Sequence, residues 1–527
     1  MLSLLLCAAL AGSALNAAQP TLIPVPPPPM GWSSWNAFSN TINSEITLAQ
    51  AKAMATNGMQ RAGYQYINID EGWWLGARDK DGNIIVDPNA WPAIAAGERA
   101  GDMANIVRSI HSLGLKAGIY TDAGRDGCST VGPDLGPSYP NTGSEGHYEQ
   151  DFLQFARWGF DYVKVDWCGG DKENLDPAIQ YAEIARAIAH AEAATGHRLY
   201  YSICNWGKHS PFTWAPNVGG VAADIWRTGG DIVAPIVANS KNADRKAEFK
   251  EVLREFDQAQ HPQAQHTGYY NDPDMMVVGM PGLTEQQNRA HMSLWAISGG
   301  PLLVGADLTG LSATDLATLT NSEVLRIDQD SLGLQSVLAA EPAPGLQVWS
   351  KPLSKTGERA ALLLNRTAAA ASITVHWSDL DLRDDSSAEV RDVWAGSDRG
   401  KFPGSYTATV PAGDLILLLI RGSESPTTTH RPEVQRTGEL AFANVLSRFP
   451  VARVDIQYVN SGKTLRFAEL RVNGQVATKI AFPPTGSGAA PGTVSLEVMM
   501  DSSSGKNQLT FALPVGSRTA IQSIAVH

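Results

Sequence analysis

The sequence has no block rich in lysine or arginine, and its overall charge is negative. Among 527 residues there are 53 aspartates and glutamates against 41 lysines and arginines, which gives a formal net charge of −12. Such a surface is a poor match for nucleic acid or anionic lipid. Beyond the N-terminal segment, no apolar run is long enough to span a bilayer. We therefore expect no nucleic-acid partner and no membrane insertion of the mature protein.

Cysteine is scarce, with four residues in the chain. Cys7 lies within residues 1–18, a small, apolar segment that resembles a secretory signal peptide although no basic residue precedes it. We expect export to the periplasm or the medium, with loss of Cys7. Cys128, Cys168 and Cys204 then allow at most one disulfide. Cys128 and Cys168 follow neighbouring predicted strands, so a bridge between them is geometrically reasonable; three buried, reduced thiols are the alternative.

Aromatic residues are plentiful by contrast, with 14 tryptophans and 13 tyrosines. Aromatic faces stack on the C–H faces of pyranose rings, and carboxylates accept hydrogen bonds from sugar hydroxyls. The combination of many aromatic and acidic residues suits a sugar ligand.

Several apolar, β-branched runs end abruptly in a carboxylate. The clearest is the run from Tyr162 to Val165, which Asp166 follows directly. Similar runs end in Asp70, Asp122 and Asp231. An acid at the carboxyl end of each buried strand is how a (β/α)8 barrel builds a polar site above an apolar core.

Residues 26–331 alternate strand-like and helix-like runs. The predicted strands begin at Met30, Tyr66, Lys116, Tyr162, Tyr200, Ile225, Tyr270 and Pro301. The predicted helices cover 46–59, 103–113, 148–158, 179–194, 246–258, 286–297 and 314–327. This alternation predicts an α/β fold of the (β/α)8 TIM-barrel type.

After residue 331 the pattern changes to short alternating strands. Residues 332–422 predict an antiparallel β-sandwich, and 423–433 form a polar, proline-bearing linker. Residues 434–527 predict a second, jelly-roll-like β-sandwich, in which Asn473-Gly474 marks a hairpin turn.

A set of motifs in the barrel resembles glycoside hydrolase family 27, the family of α-galactosidases and α-N-acetylgalactosaminidases. In family order they are Met30-Gly31-Trp32-Ser33-Ser34-Trp35-Asn36, the strand into Asp70, Lys164-Val165-Asp166, Trp226-Arg227 with Asp231, and Tyr270-Asn271-Asp272-Pro273-Asp274-Met275. The resemblance covers roughly the first four-fifths of the chain. It implies a retaining exo-glycosidase that needs no metal or organic cofactor.

The resemblance also implies residue roles. Position matching makes Asp166 the nucleophile and Asp231 the acid/base, the two carboxyls that a retaining glycosidase places about 5–5.5 Å apart. Lys164 shares a strand face with Asp166 and is expected to help keep it ionised. Sugar binding is implied for Trp35, Asp70, Glu71, Tyr120, Lys164, Asn205 and Arg227. For Trp35 and Tyr120 core packing is the alternative, and Asp272 and Asp274 are expected to orient Arg227 or to cap the seventh strand.

Glu71 departs from the family pattern, in which Asp-Asp-Cys stands where this chain has Asp70-Glu71-Gly72. The extra methylene is expected to push the carboxylate toward the 4-hydroxyl and C6 hydroxymethyl of galactose. β-L-Arabinopyranose has the same stereochemistry without that hydroxymethyl, and relatives with Glu here are associated with β-L-arabinopyranosidase activity. A steric difference of one methylene changes the preference between two substrates by about 1–3 kcal/mol. Both sugars therefore remain candidate substrates. Ala223 also departs from the pattern and leaves Cys204 without its usual partner.

The last unit resembles a family 35 carbohydrate-binding module, in the segments Leu470-Arg471-Val472-Asn473-Gly474 and Phe482-Pro483-Pro484-Thr485-Gly486-Ser487. It contains no tryptophan. A sugar-binding module and a purely structural appendage are therefore both open.

Together these features predict an exported, retaining α-galactosidase. Its substrates would be galactose- or arabinopyranose-containing oligosaccharides and polysaccharides, with β-L-arabinopyranosidase as the alternative activity. An α-N-acetylgalactosaminidase and a non-catalytic carbohydrate-binding protein are further alternatives. A pure binding protein would have no use for an acid/base such as Asp231.

Overall fold

The computed structural model describes residues 26–131, 140–217, 223–232, 246–434, 439–486, 490–503, 506–513 and 519–527. The predicted signal peptide, residues 1–18, lies outside these ranges. Within them, every helix is too short or too polar to cross a lipid bilayer.

The N-terminal unit is built on a sheet of eight parallel strands. The strands of this unit are β1 (Met30–Ser33), β2 (Tyr66–Asn68), β3 (Trp74–Arg78), β4 (Ile84–Val86), β5 (Lys116–Asp122), β6 (Tyr162–Asp166), β7 (Tyr200–Ile203), β8 (Ile225–Arg227), β9 (Tyr270–Asp272) and β10 (Leu302–Val304). The sheet order is β10-β1-β2-β5-β6-β7-β8-β9, and β3 and β4 form a separate hairpin. Met276, just after β9, pairs in parallel with Val304 of β10 and closes the barrel. The predicted (β/α)8 fold is confirmed.

Helices follow most of these strands. They are α1 (Trp35–Phe38), α2 (Ser44–Thr56), α3 (Met59–Ala62), α4 (Ala104–Ser112), α5 (Cys128–Val131), α6 (Tyr148–Trp158), α7 (Cys168–Lys172), α8 (Pro177–Thr195), α9 (Phe249–Gln258), α10 (Glu285–Ser298), α11 (Ala313–Leu319) and α12 (Ser322–Asp328). The single helix predicted over 314–327 is two helices. The Asn321 side chain accepts hydrogen bonds from the N–H groups of Glu323 and Val324, and this cap starts α12.

An aromatic layer closes the amino end of the barrel. Tyr162, Tyr200, Ile225 and Tyr270, each the first residue of its strand, form a buried cluster against which Tyr66 packs. The Tyr162 and Tyr200 rings stack with centroids 5.7 Å apart. Aromatic rings fill this end of the barrel, so a polar site can form only at the other end, where the carboxyl ends of the strands lie.

Two β-rich units follow the barrel. The first contains β11 (Val337–Ala343), β12 (Leu346–Pro352), β13 (Glu358–Asn365), β14 (Ala371–His376), β15 (Ser387–Asp392), β16 (Ser397–Pro403), β17 (Ser405–Val410) and β18 (Asp414–Arg421). The second contains β19 (Thr428–His430), β20 (Glu433–Val434), β21 (Leu440–Val445), β22 (Val451–Asn460), β23 (Arg466–Val472), β24 (Gln475–Phe482), β25 (Gly492–Met499), β26 (Asn507–Ala512) and β27 (Thr519–Val526). Their sheets have the orders β11-β12-β13-β18-β15-β16, β14-β17, β19-β27-β22-β25 and β20-β21-β26-β23-β24.

Local sequence signals explain two features of the last unit. Val472 pairs with Gln475 across the predicted turn, and Asn473 and Gly474 both have positive φ, 51° and 84°, as a two-residue hairpin loop requires. Thr428–His430 lies in the segment predicted as a linker, yet it pairs with β27 as an edge strand. Its β-branched threonines, Thr428 and Thr429, favour an extended strand despite the nearby prolines.

The last unit packs directly on the barrel. His266 Nε2 accepts a hydrogen bond from the N–H of Ala481, at 3.2 Å, and the Thr267 hydroxyl accepts one from the N–H of Ser495, at 3.0 Å. Phe467 and Ala481 belong to the same buried apolar cluster as the barrel core. The last unit is thus docked on the barrel rather than tethered to it.

Candidate active site

Charged side chains converge on a cavity at the carboxyl ends of the strands. The cavity lining includes Asp70, Lys164, Cys204, Arg227, Asp272 and Asp274. These residues come from or directly follow β2, β6, β7, β8 and β9. The barrel therefore brings together groups that are up to about 200 residues apart in sequence, as its strand register requires.

Asp166 lies at the end of β6 and is buried. Its Oδ1 accepts a hydrogen bond from the N–H of Trp167 at 3.1 Å, and its Oδ2 lies 3.7 Å from Lys164 Nζ. Burial raises the pKa of Asp166 to about 6, while the Lys164 ammonium opposes that rise and the carboxylates of Asp231 and Asp70 add to it. The carboxylate is therefore a desolvated group with one cation beside it.

Lys164 connects two carboxylates of the site, Asp70 after β2 and Asp166 at the end of β6, although β5 lies between these two strands. Its Nζ donates to Asp70 Oδ2 at 2.9 Å and lies 5.4 Å from the centre of the Tyr120 ring. Burial alone would lower the pKa of Lys164, but Asp70 and Asp166 raise it well above its ordinary value. Lys164 therefore remains a cation inside the site.

Asp231 sits on the loop after β8, and its side chain is 41% exposed. Arg227 Nη2 lies 3.3 Å from Asp231 Oδ1, and Arg227 Nη1 lies 2.9 Å from Asp274 Oδ1. Asp274 Oδ2 in turn accepts from the N–H of Ile232 at 2.8 Å. Asp274 thus orients Arg227 and also ties down the loop that carries Asp231. Asp272 Oδ1 accepts from the N–H of Asp274 at 2.8 Å and shapes that turn.

Glu71 does not reach into the cavity, contrary to the expectation from its extra methylene. Its side chain has no exposed surface. Its Oε1 accepts from the N–H and the hydroxyl of Ser129, both at 2.8 Å, and Oε2 lies 3.0 Å from the same N–H. The longer side chain finds donors at Ser129 in α5 and turns toward them, because a buried carboxylate needs partners. Burial still raises the pKa of Glu71 to about 8, although the Ser129 hydrogen bonds oppose the rise.

The disulfide joins Cys128 and Cys168, whose Cα atoms are 5.0 Å apart. It ties the first residue of α5, which follows β5, to the first residue of α7, which lies two residues after Asp166. The Tyr120 hydroxyl donates to Cys128 Sγ at 3.4 Å, and Cys204 is a free, buried cysteine. Asp122 lies close to both bridged sulfurs, but their bonding to each other leaves no thiolate for a metal.

Asp122 is a residue that sequence reasoning placed at a strand end without giving it a role. It pairs in register with Asp166, and its Oδ1 accepts from the N–H groups of Gly124 and Gly169 at 2.7 and 3.0 Å. A Cβ at Gly124 would lie 2.2 Å from the backbone of Gly169, so only glycine allows the two loops this approach. Asp122 and the disulfide both hold the start of α7.

The remaining residues predicted to bind sugar, Trp35, Asn205 and Tyr120, lie beside residues that line the cavity. Trp35 is buried against Met275 and Leu303, both of which line the cavity. Asn205 is buried, and its Nδ2 donates to the carbonyl of Lys208 at 2.5 Å. Tyr120 is buried beneath Lys164. Ser129, the partner of Glu71, carried no signal in the sequence, since it lies 58 residues away from it.

Known families match the chain in three consecutive segments. The profile described as alpha galactosidase A matches residues 27–330, and the profile of the alpha galactosidase C-terminal beta sandwich domain matches residues 343–420. A third profile, described as an alpha-galactosidase CBM13 domain, matches residues 442–525. The resemblance to a carbohydrate-binding module thus has a counterpart, but under family number 13 instead of 35.

Individual relatives agree with these profiles. The chain is 38% identical over 402 residues to the alpha-galactosidase A of Cellvibrio japonicus, covering 74% of this chain and 91% of the relative. It is 36% identical over 398 residues to a probable alpha-galactosidase of Dictyostelium discoideum, covering 75% and 92%. The crystal structure of alpha-galactosidase I from Mortierella vinacea superposes with a TM-score of 0.64 at 28% identity, over 76% of this chain and 98% of that one.

Proposed function

The chain belongs to glycoside hydrolase family 27, the α-galactosidase family, and from that premise we propose that it hydrolyses terminal, non-reducing α-D-galactosyl residues with net retention. Asp166 attacks the anomeric carbon and forms a glycosyl-enzyme. Asp231 protonates the departing oxygen and then activates the water that releases galactose.

The different environments of the two aspartates carry this proposal. Asp166 is buried beside the Lys164 ammonium, whereas the Asp231 side chain is 41% exposed on the loop after β8. A nucleophile must face the sugar ring inside the pocket, and an acid/base must reach the leaving group, where the aglycone and water enter. The presence of both Asp166 and Asp231 also argues against a non-catalytic binding protein.

The position of Glu71 favours galactose over β-L-arabinopyranose. With its carboxylate held by Ser129 and no exposed surface, Glu71 does not occupy space in the cavity. The steric reason to exclude a C6 hydroxymethyl group is thereby removed. β-L-Arabinopyranosides are the second candidate substrate, since they share the stereochemistry of α-galactosides and are smaller.

Steady-state kinetics on matched substrates test the proposal. We expect kcat/KM for 4-nitrophenyl α-D-galactopyranoside to exceed that for 4-nitrophenyl β-L-arabinopyranoside. The opposite order would make the protein an arabinopyranosidase, and no turnover of either sugar would contradict the hydrolase assignment. The 4-nitrophenyl N-acetyl-α-D-galactosaminide, run alongside, tests the remaining alternative within the family.

Azide rescue tests the two roles separately. In Asp166→Gly, azide can take the place of the nucleophile and should yield β-galactosyl azide. In Asp231→Gly with an activated substrate, azide attacks the glycosyl-enzyme from the other face and should yield α-galactosyl azide. Exchanged products would mean exchanged roles, and an Asp166→Gly variant with full activity would rule out Asp166 as nucleophile.

Export is part of the proposal. The Cys128–Cys168 disulfide is of the kind that persists in oxidising compartments. Cell fractionation of the natural source, with N-terminal sequencing of the mature protein, tests export and locates the cleavage site.

A further inference from the structure

Arg254, on α9, binds the backbone of Asp231 from outside the cavity. Its Nη2 donates to the Asp231 carbonyl oxygen at 2.8 Å. The Asp231 carboxylate contacts Arg227 on the cavity side, at 3.3 Å. The loop that carries the proposed acid/base is therefore held between two guanidinium groups, one inside the site and one outside it.

Two carboxylates fix the orientation of Arg254. Its Nε donates to Glu251 Oε2 at 2.8 Å, and its Nη2 lies 2.6 Å from Glu255 Oε1. The Glu255 side chain has no exposed surface. A planar guanidinium with several acceptors in place has little freedom left, so its remaining N–H can hold a backbone carbonyl in one position.

The segment before Asp231 contacts α9 closely and contains two glycines. Gly229 and Gly230 precede Asp231, and a Cβ at Gly229 would lie 2.4 Å from Glu255 Oε2 and 2.3 Å from Gln258 Oε1. Without side chains, these residues let α9 approach the backbone. Glycine also leaves the backbone more freedom, so the position of Asp231 depends on the groups that bind the loop.

We propose that Arg254 is a positioning residue for the acid/base: it fixes the backbone of Asp231 so that the carboxyl reaches the leaving-group oxygen. The inference rests on the proposed function and on the role of Asp231 in it. Arg254 touches neither substrate nor the reacting atoms in this scheme, and it acts through the loop.

The leaving group provides a readout that a purely structural role would not change. A poor leaving group such as methanol or a sugar alcohol must be protonated as it departs. A dinitrophenolate departs without protonation. Displacement of the acid therefore slows glycosylation of the enzyme much more for substrates with poor leaving groups than for substrates with good ones.

The experiment compares Arg254→Met and Arg254→Lys with the wild type. The substrates are methyl α-D-galactoside and 2,4-dinitrophenyl α-D-galactoside, and the quantity is the ratio of their kcat/KM values. For Arg254→Met we expect kcat/KM on the methyl glycoside to fall by about 10- to 100-fold, because a 1 Å misplacement of a catalytic group costs on the order of 100-fold. On the dinitrophenyl substrate we expect less than about a threefold change, since that step needs no general acid. Arg254→Lys keeps the charge and should restore part of the loss.

Arg326→Met is the matched control. Arg326 is 45% exposed, close to the 36% of Arg254, and Arg326 Nη1 also pairs with a buried glutamate, Glu358 Oε2, at 2.6 Å, between α12 and β13. The ratio of kcat/KM on the methyl galactoside to kcat/KM on the dinitrophenyl galactoside should be the same in Arg326→Met as in the wild type.

Each outcome has a distinct meaning. Equal losses on both substrates in Arg254→Met and Arg254→Lys, or no loss on either, would overturn the role of Arg254. If Arg254→Met does not fold, the ratio in Arg254→Lys and Arg254→Gln decides the question. A wild type without activity on either galactoside would instead refute the proposed function.

Discussion

The Nζ atom of Lys164 lies 3.7 Å from Asp166 Oδ2 and at the same time donates to Asp70 Oδ2 at 2.9 Å. Lys164 and Asp166 are two residues apart on β6, so their side chains share a face of the strand. The ammonium is therefore a fixed counterion for the proposed nucleophile, and Asp70 keeps it in place.

We expect Lys164→Met to shift the acid limb of the kcat/KM profile to higher pH. The Asp166 carboxylate must be ionised to attack, and activity is lost as pH falls through its pKa, which burial raises to about 6. Lys164 opposes that rise, so its removal raises the pKa further. An opposite charge at this distance lowers the pKa of a carboxyl by about 1–3. The pH dependence of kcat/KM on an activated aryl galactoside measures the shift.

Lys172→Met is the control for this prediction. Lys172 is 49% exposed, and its Nζ binds Asp126 Oδ2 at 2.9 Å on the surface. Its loss should leave the acid limb in place. An acid limb that stays put in Lys164→Met, or moves to lower pH, would contradict the role of Lys164 as counterion.

We expect Glu71→Gln to flatten the pH dependence of stability. Burial raises the pKa of Glu71 from 4.5 to about 8 in the folded protein, so between these values the folded state binds more protons than the unfolded state. The stability that Glu71 contributes is present at low pH and is lost as pH rises through 8, with a slope of at most about 1.4 kcal/mol per pH unit. Glutamine keeps the shape without the titration. Thermal midpoints from pH 5 to pH 8.5 give the difference between the two proteins.

The thermal midpoint of Glu71→Gln relative to that of the wild type should increase as pH increases. Replacement of an exposed carboxylate would not produce this trend. Glu149→Gln is the control, because Glu149 is 65% exposed. A constant difference between Glu71→Gln and the wild type over this range would show that Glu71 does not titrate there. The same variant should keep its preference for galactosides, since Glu71 has no surface in the cavity.

Much of the barrel could be predicted from the sequence, because local pattern and global fold agree there. Lys116–Asp122 and Tyr162–Asp166 are strands as their β-branched, apolar runs ending in aspartate indicate. The division of the helix predicted over 314–327 was missed, although its cause is local. Asn321 can either continue a helix or cap a new one, and periodicity alone does not distinguish these choices.

The orientation of a side chain in the site was harder to predict than its place on a strand. Position just after β2 put Glu71 next to Asp70, but its direction depends on donors of Ser129, which the fold brings from α5. Arg254 illustrates the same limit. It stands on a helix face with Glu251 and Glu255, and sequence alone gives such a residue an intrahelical ion pair. Its bond to Asp231 exists only once α9 packs on the loop.

We expect removal of the disulfide to reduce both stability and activity. Cys128 and Cys168 are separated by 40 residues, and a bridge closing a loop of this length is worth about 2–4 kcal/mol in the chain-entropy account. Cys168 also lies two residues after Asp166, so the start of α7, just after the nucleophile, should loosen. A Cys128→Ser and Cys168→Ser double variant should show a lower thermal midpoint and a lower kcat/KM.

Reductant provides the internal check for the disulfide. It should lower the thermal midpoint of the wild type toward that of the double variant and leave the double variant unchanged. An equal midpoint for the two proteins without reductant would mean that the bridge does not stabilise the fold.

His266 makes the docking of the last unit sensitive to acid. The ring is buried, its Nδ1 lies 3.1 Å from the carbonyl of Ala264 and its Nε2 accepts from the N–H of Ala481 at 3.2 Å. These contacts require the neutral ring with the proton on Nδ1, and burial lowers the pKa of His266 from 6.5 to about 4. The unfolded state therefore binds more protons between these values, and stability falls as pH drops from 6.5 toward 4.

We expect His266→Gln to be less stable than the wild type at pH 7 but to lose less stability on acidification. Glutamine can still accept from the Ala481 N–H, and it carries no group that must be charged in acid. The measurement is the thermal midpoint of both proteins from pH 7 to pH 4.5, with the exposed His190 changed to glutamine as control. The difference between wild type and His266→Gln should shrink steadily toward pH 4.5, because the cost of keeping His266 neutral grows by up to about 1.4 kcal/mol per pH unit below its ordinary pKa. A difference that stays constant with pH would mean that His266 is not the acid-sensitive contact between the last unit and the barrel.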